Sequence, residues 1–447
     1  MKSEKVNGFT LIELLAVIVI LAIILVIAIP KILNVIEETK KDSLKNTAQL
    51  IADSAEKEKI SNELLEKDDD ITCKRVAKIT DEDYASCKIT FDEEGNAKVS
   101  IIGKGKFDGL AVIDGTKMSS DVIELELPEY GVGKTYIENL YNNEVLRNVN
   151  NLKKDNTPDE NIRYYGSNPN NYVRFNNELW RIIGVFGENI KLVRSEKLGN
   201  LSWDSSESTI NSGYGINQWG ESTDTNGNSY AGSDLQVYLN NMYYGGVEVM
   251  CYKTSNNTTI TCPTNMLDEI SKSLIDNHTW NTGAINLNDS TIVNLQSYEM
   301  NTVPFYNAER GTVNGKICSS GNYCNNDVVT RTTTWTGYVG LPYPTDYSYA
   351  SSESVCETNM QKQDSSNAYI CKNNNWMQGS KWAYYFSPYA HGTFAGNAWS
   401  VSGAGYANRT YAASSRAVAP SIYLKSNVII ESGKGTSSNP YILKAGS

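Results

Sequence analysis

A lone carboxylate is the first residue that asks for chemistry. Glu13 lies within Phe9 to Ile29, a run of 21 residues in which Thr10 is the only other polar side chain. A carboxylate in an apolar span costs roughly 2.5 to 3.5 kcal/mol near a helix centre and less near an end, so such residues usually have a partner and a task. Lys2 and Lys5 precede the run, and Pro30 follows it. Other chemistries are poorly served. His278 and His391 are the only histidines, far apart in sequence, which leaves little for His-based metal sites or for Ser/His and Cys/His dyads. Acidic residues of the C-terminal half are scattered, and no carboxylate pair suited to glycan hydrolysis can be named. The expectation is therefore no enzyme, no cofactor and no metal.

The eight cysteines fall into close neighbours: Cys73 and Cys87, Cys251 and Cys262, Cys318 and Cys324, Cys356 and Cys371. None is spaced as CxxC, which argues against zinc and against a thioredoxin-like motif. In an exported chain an even count suggests disulfides, and pairing in sequence order closes the loops at least entropic cost; buried free thiols are the alternative. Trp376, Trp382, Trp399 and the Tyr384-Tyr385 pair could form sugar-stacking platforms, although aromatics more often fill a core or its rim.

These groups need elements to hold them. As a helix, residues 9–29 would be about 31 Å long, enough to cross a bilayer once. The run is too long for the apolar region of a cleaved signal peptide and lacks a small-residue cleavage site after it. A simple signal anchor would satisfy its composition but has no use for Glu13. Lys2 and Lys5 place the preceding end in the cytoplasm, against a weaker opposing bias from Lys31, Lys40 and Lys41. From 31 to 66 apolar residues recur at Ile32, Val35, Ile36, Leu44, Ala48, Ile51 and Ala55, spacings that mark one face of an amphipathic helix. Residues 67–128 alternate between apolar and polar positions across Gly- and Asn-bounded turns, the pattern of an antiparallel β-meander head that the helix would cover. The polar stretch 129–162 reads as a linker holding one short helix around Tyr136 to Leu152. From 163 to 447 charges thin out, and strand-like runs at Tyr172–Phe175, Leu179–Phe186, Ile190–Arg194, Val418–Leu424 and Tyr441–Leu443 predict a β-rich domain. The fold class expected is α+β: a long transmembrane and amphipathic helix on a small meander, then a large β-rich domain with disulfides.

Composition agrees with an exported, folded chain. At 447 residues it should hold two or three units, and 28 Tyr and 8 Trp are too many for a disordered protein. A net charge of -11 removes the electrostatic attraction on which nucleic-acid binders depend.

Gly8-Phe9-Thr10-Leu11-Ile12-Glu13, with a short Lys-containing leader before it and the unbroken apolar run after it, resembles the prepilin cleavage and methylation motif of type IV pilins and type II secretion pseudopilins. The resemblance implies that residues 1–8 are a leader cut after Gly8 by prepilin peptidase, and that Phe9 becomes a methylated N-terminus. Glu13, about 6 Å along the helix, would then pair with the Phe9 ammonium of a neighbouring subunit. Such a pair in a low-dielectric setting would set register between copies. Pro30 removes one N–H and should loosen the helix there. The segments 171–184 and 435–443 are similar to an accessory domain of exported Gram-positive proteins. The partners implied are prepilin peptidase, other pilin subunits in a helical filament, the inner-membrane assembly machinery and the membrane, with a surface glycan or host ligand for the outer domain. The functional expectation is a pilus or pseudopilus subunit, of minor, tip or decorated type with an adhesive role, that starts in the cell membrane and ends on the cell surface. The alternative is a membrane-anchored, lectin-like adhesin that never polymerises; Glu13→Ala separates the two.

Overall fold

In a computed structural model of the chain the described residues are 11–446, except 66–70, 78–83, 104, 126, 206–216, 225, 226, 228, 254–257, 284, 287–292, 295–298, 311, 314, 315, 318–328, 331–333, 359–365, 379–382, 391–396 and 406. The chain divides into two units, Met1–Leu127 and Pro128–Ser447. The class is α+β: a long N-terminal helix, then a β-rich region with disulfides.

In the first unit a 54-residue helix, α1 (Leu11–Leu64), leads to a short helix, α2 (Cys73–Ala77), and to a sheet of β1 (Tyr84–Phe91), β2 (Ala97–Gly103), β3 (Leu110–Gly115) and β4 (Val122–Glu124). The strands lie in sequence order, each antiparallel to the next. Leu44, Ala48, Ile51, Ala52 and Ala55, spaced for one helical face, are fully buried against Ala97, Val99, Ile101, Phe107, Leu110 and Val112. Alanines at 48, 52 and 55 allow the helix to come close to the sheet. Asp92 shapes the β1–β2 turn by accepting the backbone N–H groups of Glu94 and Asn96, and Gly95 supplies the positive φ of 86°.

The stretch 129–162, expected as a linker, is instead an integral part of the second unit. It contains β5 (Gly131–Val132), α3 (Gly133–Asn142), α4 (Glu144–Asn150) and β6 (Leu152–Lys154). Tyr136, Ile137 and Leu140 bury one face of α3, and Leu146 and Leu152 are also buried. A polar composition hid this short apolar face. The one helix expected there is two, because Asn143 ends α3 in an extended conformation and caps α4 by accepting the N–H of Leu146.

Among the described residues ten strands form the main sheet of this unit. Its central strands are β7 (Ile162–Tyr164), β8 (Tyr172–Phe175), β9 (Glu178–Phe186) and β10 (Asn189–Arg194). Late in the chain come β11 (Val339–Gly340), β12 (Ser421–Tyr423), β13 (Ile429–Ser432) and β14 (Tyr441–Lys444). The order is β11-β12-β10-β9-β8-β14-β13-β5, with β6 and β7 branching from β9. The run expected as one strand at Val418–Leu424 is interrupted at Ala419-Pro420: Arg416–Val418 belongs to a six-stranded second sheet and β12 to the main one. Asn176 and Asn177, both at positive φ, make the two-residue turn joining β8 to β9. At Gly184 a Cβ would lie 2.1 Å from the Ile162 carbonyl oxygen, so only glycine lets β7 pair with β9 there. Trp180, Trp203, Trp219, Trp280 and Trp399 are completely buried and give this unit its core.

Candidate functional site

The processing residues Gly8 and Phe9 lie outside the described residues. Glu13 and Pro30 lie on the path of α1, which continues through Pro30 as helix, but their side chains also lie outside what is described. The same holds for the side chains of the expected span at 9–29 other than Leu15, which is exposed; among the described residues no helix is long and apolar enough to cross a membrane. Beyond Pro30 the helix is well defined chemically. Ile32, Leu33, Val35 and Ile36 are 45–60% exposed, and Leu50, Ile60 and Leu64 also face solvent. These side chains leave a large apolar surface on α1 beside the stripe that covers the sheet.

Polar anchors hold that helix in register on its sheet. Glu56, almost buried, accepts the backbone N–H of Ala97 at 3.1 Å and pairs with Lys117. Glu58 meets Arg75 of α2 at 2.7 Å, and Lys41 pairs with Glu124 of β4. The Glu124 carboxylate, first, raises the affinity of Lys41 for its proton. The disulfide Cys73–Cys87 ties α2 to β1.

The second unit contains a set of buried charges that the sequence reading missed. On β10, Lys191 Nζ lies 2.6 Å from Asp346 Oδ2, and Arg163 of β7 donates from Nη1 to Asp346 Oδ1 at 2.7 Å. Arg163 Nε donates to Asp155, whose carboxylate also accepts from Thr157 and Asn161. Two further helices carry the acids: α5 (Thr302–Glu309) ends on Glu309, and α6 (Pro344–Tyr349) holds Asp346. Asp346 Oδ2 accepts the N–H of Tyr343 at 2.8 Å at the start of α6, while Glu309 accepts both the N–H and the hydroxyl of Thr345. All of these charged side chains are essentially without solvent contact. Burial pulls the Lys191 amine down to about 8 against the pull of Asp346. Burial likewise pushes the Glu309 carboxyl up to about 8, only partly offset by Arg310 and Thr345. Asp346 stays below the usual carboxylate range because Lys191 and Arg163 outweigh its burial. One signal was present in sequence, a lysine in the middle of the otherwise apolar run Ile190–Val193; its partner Asp346, 155 positions away, gave none.

A surface groove of about 700 Å³ lies elsewhere in this unit, lined by Tyr244, Glu269, Lys272, Asp276, Tyr338 and Lys425 among others. Tyr244 and Tyr338 stack with centroids 4.0 Å apart and planes 9° from parallel. By contrast, two of the aromatics proposed for sugar stacking are interior: Trp376 is nearly buried, with its ring nitrogen donating to the Tyr164 carbonyl, and Trp399 packs edge-on against Phe305. Trp382 lies outside the described residues, as do the side chains of Tyr384 and Tyr385. The disulfides Cys251–Cys262 and Cys356–Cys371 are formed, and Cys318 and Cys324 lie outside the described residues. His278 Nδ1 is 3.0 Å from Asp276, and its ring stacks on Tyr423.

Residues 5–29 match the prokaryotic N-terminal methylation motif. The chain thus begins as a type IV pilin-like or pseudopilin-like precursor does. That motif implies processing by prepilin peptidase and assembly with other pilins, and it is consistent with membrane anchoring followed by surface exposure. No curated protein and no solved structure matches the chain, so the region after residue 29 rests on its own geometry.

Proposed function

We propose that the chain is a structural, non-catalytic subunit of a type IV pilus or pseudopilus, cut between Gly8 and Phe9, held in the membrane by residues 9–29 and then packed helix-to-helix with other copies. The N-terminal methylation motif carries this reading. The exposed Ile32, Leu33, Val35 and Ile36 support it, since apolar side chains at 45–60% exposure on a long helix are stabilised when neighbouring helices cover them. The second unit, of 320 residues if counted from Pro128 to Ser447, is too large to enter a helical fibre core and would be displayed outside it. This favours a minor, tip or decorated subunit. An adhesive role is supported by the Tyr244–Tyr338 groove, where an aromatic face stands beside Glu269, Lys272 and Asp276, the combination that polar ligands such as glycans require.

N-terminal analysis of protein sheared from cells tests the reading. A methylated Phe9 in a filament fraction is the expected result; protein that retains Met1 contradicts it. Glu13→Ala should abolish incorporation into sheared filaments while leaving the protein in the membrane. Unchanged incorporation would remove Glu13 from assembly.

A further inference from the structure

Lys191 and Asp346 are placed as reactants as well as an ion pair. The amine and carboxylate are 0% and 1% exposed, the nitrogen is 2.6 Å from Oδ2, and 155 positions of chain separate them. The rings of Phe186, Trp280, Tyr343 and Tyr423 stand 4.1–5.5 Å from Nζ and exclude water from it. Asp346 cannot turn away, because Arg163 holds Oδ1 and the Tyr343 N–H holds Oδ2. We propose that Lys191 and Asp346 condense into an intramolecular amide that covalently joins β10 to α6.

The step balances without a co-reactant. The ammonium passes one proton to Oδ2 along the existing 2.6 Å contact, giving a neutral amine and a carboxylic acid. The nitrogen lone pair attacks Cγ, and the developing charge on Oδ1 is held by Arg163 Nη1. Nitrogen then releases a second proton to the Oδ2 hydroxyl, the Cγ–Oδ2 bond breaks, and one water leaves. In bulk water hydrolysis would oppose this, but two groups fixed in contact can react as if each faced the other at about 10⁵ to 10⁸ M. The dry aromatic shell also keeps water from the product. Burial, first, makes the amine readier to release its proton, while Lys191 and Arg163 make Asp346 slower to accept it, so the fixed contact has to carry the step.

Electrostatics permit the product. Arg163 and Lys191 carry positive charge and Asp155 and Asp346 negative charge; condensation removes one of each sign and leaves Arg163 paired with Asp155. Glu309 keeps this sum balanced while it holds its proton, which its burial favours. The bond would also do what the observed disulfides do not. Those bridges span 11, 14 and 15 positions, whereas this amide would close the whole 191–346 segment.

Peptide mapping of the full-length protein, extracted in detergent, denatured, reduced and alkylated before trypsin digestion, decides the matter. The expected result is one branched product in which the Lys191 peptide is joined to the Asp346 peptide with the loss of one water. Recovery of both peptides separately and at their unmodified masses would overturn the proposal, whatever the variants do. Lys191→Met and Asp346→Ala should each abolish the branched product. A branched product that persists in Lys191→Met would show that another amine is the donor and would overturn the assignment of Lys191.

Discussion

The two units bury opposite chemistries. Among the described residues the first packs small aliphatic side chains, with Phe107 as its one buried aromatic; it keeps Lys41–Glu124 and Lys57–Asp53 in water and buries only the Glu56 end of Glu56–Lys117. The second buries five complete tryptophans and threads Arg163, Lys191, Asp155 and Asp346 among them. Alanines let a helix lie close to a sheet, and a unit built that way needs little side-chain volume. It also leaves Ile32, Leu33, Val35 and Ile36 of its long helix open. Buried ions have the contrary effect: removing one partner of such a pair strands a charge in a dry medium, so each partner in the second unit depends on the others staying in place. One unit is suited to being completed by neighbours; the other closes on itself.

Arg163→Met gives the largest expected break in this contrast. It leaves Asp155 and Asp346 without their shared cation and should destabilise the second unit by roughly 3–5 kcal/mol. All eight tryptophans lie after Pro128, so their fluorescence during urea unfolding reports that unit alone. A lower fluorescence midpoint with an unchanged helical signal from α1 is expected. A joint shift of both signals would show that the two units unfold as one.

Ile51→Ala probes the other side. Ile51 is fully buried between α1 and the sheet, and its truncation should cost roughly 2–5 kcal/mol, at the low end if the neighbouring alanines let the site collapse. The loss should appear in far-ultraviolet circular dichroism and be absent from tryptophan fluorescence. If fluorescence moves instead, the aliphatic core is not independent of the aromatic one.

These experiments fall on residues of unequal legibility. The stripe Leu44, Ala48, Ile51 and Ala55 could be read from spacing alone, because a helix places such positions on one face whatever the rest of the chain does. The strands at 172–175, 179–186 and 190–194 were legible for a similar local reason, as were cysteine neighbours whose short loops favour closure. Residues 129–162 were misread because the buried Tyr136, Ile137 and Leu140 occupy a single turn of a polar segment. Apart from Lys191 in its apolar run, the charge cluster was out of reach. Its members stand at 155, 163, 191, 309 and 346, brought together by the return of the chain to the main sheet, and no periodicity links positions so far apart.

The smallest effect at any single pH step, and the one that most sharpens the contrast, is a pH dependence confined to the second unit. Burial holds the Glu309 carboxyl at about 8, against 4.5 for the free side chain. Between these values the folded unit retains a proton that the unfolded chain has released. Its contribution is therefore complete below 4.5 and is lost as pH rises towards 8, at about 1.4 kcal/mol per pH unit. His278 works the other way: burial lowers its proton affinity, so its contribution grows as pH rises towards its ordinary 6.5 and is complete above it. Comparing the protein with Glu309→Gln isolates the carboxyl, because both carry His278. The tryptophan-reported urea midpoint should fall with pH across this window in the native chain and stay flatter in the variant, while the helical signal of the first unit follows neither. Parallel pH profiles for the two proteins would mean that Glu309 is ionised in the folded unit, and that the buried charges are balanced by some other group, of which Arg310, 3.6 Å away, is the nearest cation.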